Sequence, residues 1–149
     1  MRYYAAALAT ITLIPASSLF AAPDRELDLQ AITTLQGKAE HASLRDQCFL
    51  YAQLMRGMTE IASHQLAAGE PGDAAATLAS VEHYATLLDT SLARDTKKVK
   101  DAEILMRQTA LRLKGALSEA AVEDRPAVEH TIQRLDKLES RLMSQVFEK

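Results

Sequence analysis

Between Gly72 and Gly115 the chain contains neither glycine nor proline, and one seam runs through that stretch in alternating steps of four and three. It reads Ala74, Leu78, Val81, Ala85, Leu88, Leu92, Asp95, Val99, Ala102, Met106, Thr109, Leu113, Ala116 and Ala120. A repeat averaging 3.5 residues keeps one side of an α-helix, and no other regular structure, facing a partner. It predicts a helix over about 73–121. Unbroken, that helix has about 48 residues and is about 70 Å long. No breaker residue interrupts it, which favours one continuous central helix in a coiled-coil-like hairpin. The alternative is a break near Asp95–Thr96, which gives an up-down four-helix bundle.

The rest of the chain has the same character. Gly69-Glu70-Pro71-Gly72 and Glu123-Asp124-Arg125-Pro126 are turns, and Ala42-Ser43 is a weaker boundary. Apolar residues between them recur at helical spacing, which predicts further helices over about 27–41, 43–68 and 126–147. Ser43 with Asp46 is a Ser-x-x-acid helix start, Asp73 is placed to cap the third helix, and Pro126 suits the first turn of the last. The fold class is all-α, with residues 23–149 as a single domain.

A short turn at Gly69–Gly72 makes the flanking helices antiparallel neighbours. The second helix has its own seam of Leu44, Cys48, Tyr51, Met55, Met58, Ala62 and Gln65. Folded back, Ala62 faces Val81, Met58 faces Ala85, Met55 faces Leu88, and Leu44 faces Val99. The last helix returns likewise, with Ile132 near Leu113 and Leu135 near Ala110. Ile104, Leu105 and Leu111 lie off the seam and need cover, which the first helix is expected to supply. Two seam positions stand out chemically. Asp95 is a carboxylate on an apolar line, and the register puts it beside Cys48, the single cysteine, with Arg45 and Arg94 near enough to pair. One cysteine forms no internal disulfide, and on an apolar stripe it reads as a small buried residue.

Residues 1–22 have the order of a secretory signal: Met1-Arg2, an uncharged apolar run from Tyr3 to Ile14, Pro15, then small residues up to Ala21-Ala22. The apolar run is shorter than the roughly 20 residues of a spanning helix. The expectation is a cleaved leader and an exported chain, in the periplasm rather than fully secreted, with no transmembrane segment after cleavage.

The composition excludes some functions. A net charge of −3 gives no electrostatic case for nucleic acid. His41, His64, His83 and His130 have no ligand spacing, and the last three fall away from the seams. Glu-x-x-His, Cys-x-x-Cys-His and Gly-x-Ser-x-Gly are all absent. Glu60 and His64 share a helix face at i, i+4, which reads as a surface pair. Arg94, Lys97, Lys98 and Lys100, and Arg134, Lys137 and Arg141, are interspersed with carboxylates and read as mixed-charge faces. No catalytic, metal or cofactor residue is assigned. The leading expectation is a non-enzymatic exported helical protein acting through protein contacts, with itself or with an envelope partner. The second is a periplasmic bundle holding a metal, haem or lipid.

Overall fold

The computed structural model describes the backbone of residues 22–92 and 97–148, and the side chains from Leu29 onward within that range. Residues 1–21, where the sequence leads one to expect an export leader, lie outside the described residues, as do Arg94 and Asp95. Among the described residues five helices follow one another: α1 Ala22–His41, α2 Leu44–Ala67, α3 Pro71–Ser91, α4 Val99–Leu117 and α5 Arg125–Phe147. The class is all-α, and the packing is that of a helical bundle.

The long helix does not run through. It ends at Ser91 and resumes at Val99, with Lys98 in the left-handed region at φ 56°. It also stops at Leu117, short of the expected 121. Weak helix formers gather before the break, at Asp89-Thr90-Ser91. There Thr90 Oγ1 donates to the Thr86 carbonyl at 2.9 Å and Ser91 Oγ to the Leu88 carbonyl at 2.6 Å. These side chains bond back to carbonyls of the preceding turn, and the Leu88 carbonyl also accepts the Leu92 amide at 3.1 Å, the last helical bond of α3. Across the break, the Lys97 amide donates to the Arg45 carbonyl at 2.9 Å, so the connection is tied to the start of α2.

Breaking the helix closes a ring. α2 packs on α3, α3 on α5, α5 on α4, and α4 on α2, while α1 lies outside against α2. α3 and α4 share no packing among the described residues and sit on a diagonal, so the order differs from a bundle that places every pair of consecutive helices side by side. α2 and α4 run parallel, with Glu60 reaching Arg112 and Phe49 lying under Lys98. α3 and α5 also run parallel, with Glu82 meeting His130 and Asp89 meeting Arg141. Four shorter helices bury every described seam residue from Ala74 to Ala120, which one straight rod could not do with partners of this length.

Leu54, Met55, Leu88, Met106, Leu113, Leu135, Leu138 and Leu142 fill the centre. Leu44 departs from the expected seam: as the first residue of α2 it points outward and is 53% exposed. Gln65 is buried at the other end, where Thr77 Oγ1 donates to its Oε1 at 2.8 Å.

Helix ends follow the punctuation with two corrections. Gly69 takes φ 70° and closes α2, with amides of Ala68, Gly69 and Glu70 donating back to the carbonyls of His64, Leu66 and Gln65. Pro71, not Asp73, sets the start of α3, because proline fits the first helical position and leaves Asp73 inside the first turn. Ser43 precedes α2 as expected, but its hydroxyl makes no bond to the backbone of the first turn. It donates instead to Asp46 Oδ2 at 2.6 Å.

α1 folds back on α2. Ile32 sits over Gly57, where a Cβ would stand only 2.5 Å from its Cδ1. Gln36 Nε2 donates to Tyr84 Oη at 3.1 Å, which links α1 to α3. α1 thus lies over the α2–α3 side and gives Ile104, Leu105 and Leu111 no cover. Leu111 is 62% exposed.

Candidate interaction groove

The four sides of the ring are finished differently. Between α3 and α5, Glu82 Oε1 accepts from His130 Nδ1 at 2.8 Å and from Thr131 Oγ1 at 2.9 Å. One turn or two further on, Asp89 pairs with both Arg134 and Arg141. The basic stripe on α5 is therefore an interhelical ionic edge rather than a freely solvated face. Between α4 and α5, Lys114 Nζ reaches Asp136 at 2.9 Å. Between α2 and α3 the tyrosine rings of Tyr51 and Tyr84 pack 5.9 Å apart and α1 lies alongside.

The α2–α4 side stays open. A groove of about 550 Å³ runs there, lined by Phe49, Gln53, Arg56, Gly57 and Glu60 from α2 and by Asp101, Ile104 and Leu105 from α4. Its origin is local. Gly57 presents no side chain, and its space on the other flank is taken by Ile32. Phe49, Ile104 and Leu105 are only half-buried, so the floor remains apolar and wetted. Lys98 Nζ sits 4.8 Å from the Phe49 ring centroid and guards one end. Arg112 Nε donates to Glu60 Oε2 at 3.0 Å and closes the other. Glu60 therefore serves Arg112 on α4, not the His64 expected from helix spacing. At the level of that pair lies a pocket of about 90 Å³ lined by Arg56, Thr59, Glu60, Gln108, Thr109 and Arg112.

Arg56 and Asp101 are exposed on opposite walls of the groove, and neither has an ion-pair partner among the described residues. The constant offset between the parallel helices puts Asp101 level with Phe49 and Arg56 farther along, about 10 Å away along the axis at 1.5 Å per residue. The groove thus has an apolar floor and one free charge of each sign toward its two ends.

The seam pair singled out from sequence resolves in part. Cys48 is fully buried as a free thiol beside the Ser91 hydroxyl, one turn before the position expected. Burial pushes the thiol from its ordinary 9.0 up to about 11, only partly opposed by Ser91. Such a thiol is a packing element, not a nucleophile. Sequence reasoning passed over Glu103, which lies off the seam yet is buried, with Oε1 lacking a hydrogen bond and Arg107 3.7 Å away. Only the breadth of the α4 apolar face around Ala102 and Met106 hinted at its burial.

His41, His64, His83 and His130 are all exposed. Among the described residues no three His, Cys, Asp or Glu side chains converge as a metal site would need. The central positions where a haem or lipid would sit in a bundle are taken by leucine and methionine. No described helix is long and apolar enough to cross a membrane. Compared with protein-family models, curated proteins and solved structures, the chain matches none.

Proposed function

We propose that this chain is an exported, non-enzymatic helical bundle of the periplasm that works by binding protein along the α2–α4 groove. The observation that carries this reading is the contrast among the four sides of the ring. Ion pairs bridge the α3–α5 and α4–α5 sides and α1 overlies the α2–α3 side, whereas between the Lys98–Phe49 contact and the Glu60–Arg112 pair the α2–α4 side keeps an apolar floor open, with Arg56 and Asp101 lacking ion-pair partners among the described residues. A polypeptide surface offers what such a groove takes: aliphatic side chains for the floor, and groups of both signs for Arg56 and Asp101. The order of residues 1–22 supports export.

The test is a photo-crosslinking residue placed at Gln53 in the groove, or at Ala79 on the exposed side of α3, in chains expressed in a bacterial host. A discrete protein adduct is expected from position 53 and not from 79, and Ile104→Asp abolishes it. Equal labelling from both positions overturns the groove as a binding surface. Recovery of an unprocessed chain from the cytosol overturns export, whereas processing that leaves Ala22 first and a periplasmic chain upholds it.

A further inference from the structure

Resting on the reading that the groove binds protein, we propose that its occupant is an amphipathic helix of another protein, laid antiparallel to α2 and α4, with a carboxylate at its start and a base seven residues on. The fold already shows how α2 receives a helix. α1 covers the neighbouring flank, where Ile32 enters the space that Gly57 leaves. Gly57 opens the other flank as well, since it also lines the α2–α4 groove. Two packed helices offer a trough that takes the apolar side of a third. From Phe49 to Glu60 this trough is about 16 Å long at 1.5 Å per residue, which is about three turns of an occupying helix.

The Arg56 end suits an anion. The small pocket there adjoins the groove through Arg56 and Glu60, which line both. Arg56 has no ion-pair partner among the described residues, while Arg112 is shared with Glu60. Two guanidiniums and one carboxylate leave one positive charge, which a single further carboxylate balances. Thr59 in the pocket wall is an independent sign. Every other described threonine donates its hydroxyl to the carbonyl four residues back, as Thr109 does to Leu105. Thr59 is 1% exposed, and its Oγ1 has no hydrogen-bond partner, which is unfavourable for a buried donor. A carboxylate in the pocket is the acceptor it lacks, and about 90 Å³ holds that group with the methylene that carries it, given about 30 Å³ for a water in the liquid. At the other end Asp101 calls for a base. Seven residues of helix rise about 10 Å, the axial separation of Arg56 and Asp101. Positions i and i+7 share one side of such a helix, with i+3 and i+4 between them for the apolar floor. An acid in the first turn and a base in the last also suit the helix dipole. The segment therefore reads acid-x-x-aliphatic-aliphatic-x-x-base and runs from Arg56 toward Asp101, against the direction of α2 and α4.

The test uses the protein purified from cells expressing the full chain and two labelled peptides of about 18 residues in one alanine-rich host, long enough to be helical alone. One carries Glu-x-x-Leu-Leu-x-x-Lys and the other Lys-x-x-Leu-Leu-x-x-Glu. By fluorescence anisotropy the first is expected to bind the native chain at least about tenfold more tightly. Glutamine in place of its glutamate removes most of that preference. The double variant Arg56→Asp/Asp101→Arg inverts the preference, a result that a misfolded chain could not give. Failure of the native chain to bind or to discriminate the peptides, or a preference that survives the double exchange, overturns the proposal. The adduct from position 53 separates this outcome from the reading beneath it. An adduct with another protein, alongside indifference to the peptides, overturns the charged helix and leaves protein binding standing. An adduct with a second copy of this chain overturns the foreign partner, and absence of any adduct removes both.

Discussion

Raising the pH through the range where thiols ionise should weaken this protein by an amount set by Cys48. The side chain has no exposed surface and lies between α2 and the last turn of α3. Burial lifts its pKa from 9.0 to about 11, because an anionic sulfur there would lose its hydration and gain only the Ser91 hydroxyl in return. Below pH 9.0 the thiol keeps its proton in the folded and the unfolded chain alike, and the group's stabilising contribution is fully present. Between 9.0 and about 11 the unfolded chain gives up the proton and the folded chain does not, so the unfolded state gains stability with every increment of pH. The full difference is about 3 kcal/mol, reached once the pH passes the folded value. Tyrosine and lysine titrate over the same range, so the quantity to follow is the difference between the native chain and Cys48→Ala. Urea unfolding in steps from pH 8 upward should show the native chain losing ground to the variant across that window. A second readout is alkylation at pH 8, where about a tenth of an ordinary thiol but only about a thousandth of this one is thiolate. A difference from Cys48→Ala that stays constant with pH, or native labelling as fast as in urea, would refute the burial argument.

Three other outcomes follow from local structure. Gly69→Ala puts a Cβ on a residue at φ 70° and should cost about 1 kcal/mol in urea unfolding, with Gly69→Asn costing less. Glu103→Met replaces a buried carboxylate that has only a distant arginine. It should leave stability equal or raise it by about 1 kcal/mol, and a loss greater than that would show that the Arg107 contact matters more than its 3.7 Å suggests. Asp46 has its pKa lowered from 3.8, first by the hydrogen bond from Ser43 and then by Lys97, Lys98 and Arg45. Its contribution is present above 3.8 and is lost as the pH falls through the lowered folded value, so the advantage of the native chain over Ser43→Ala should shrink on acidification below 3.8.

The sequence disclosed burial better than connectivity. Every described residue of the long seam is buried, from Ala74 to Ala120, because a helical repeat names the side of a helix that meets a partner. The same repeat is silent about where the backbone bends. Leu92 and Val99 are seven apart and both buried, so the heptad phase is identical on either side of a break that separates two helices. The absence of glycine and proline argued for continuity, and tertiary packing overrode it. The physical reason is closure: α5 can cover α4, and α2 can cover both α3 and α4, only if the two halves of the seam lie on opposite corners of one ring.

That closure also explains why the groove was not legible. Its two walls come from α2 and α4, which are parallel and separated in sequence by the whole of α3. Reading consecutive helices as antiparallel neighbours finds α2 against α3 and α4 against α5, and it never brings Phe49 to Asp101 or Gly57 to Leu105. The signal present in the sequence was the excess of apolar residues on α4, at Ile104, Leu105 and Leu111. α1 was the segment to hand for covering them, but Gly57 admits Ile32 on the far flank of α2, and Gln36 bonds Tyr84 on α3. With α1 committed there, Ile104 and Leu105 stay half-buried and Leu111 exposed among the described residues.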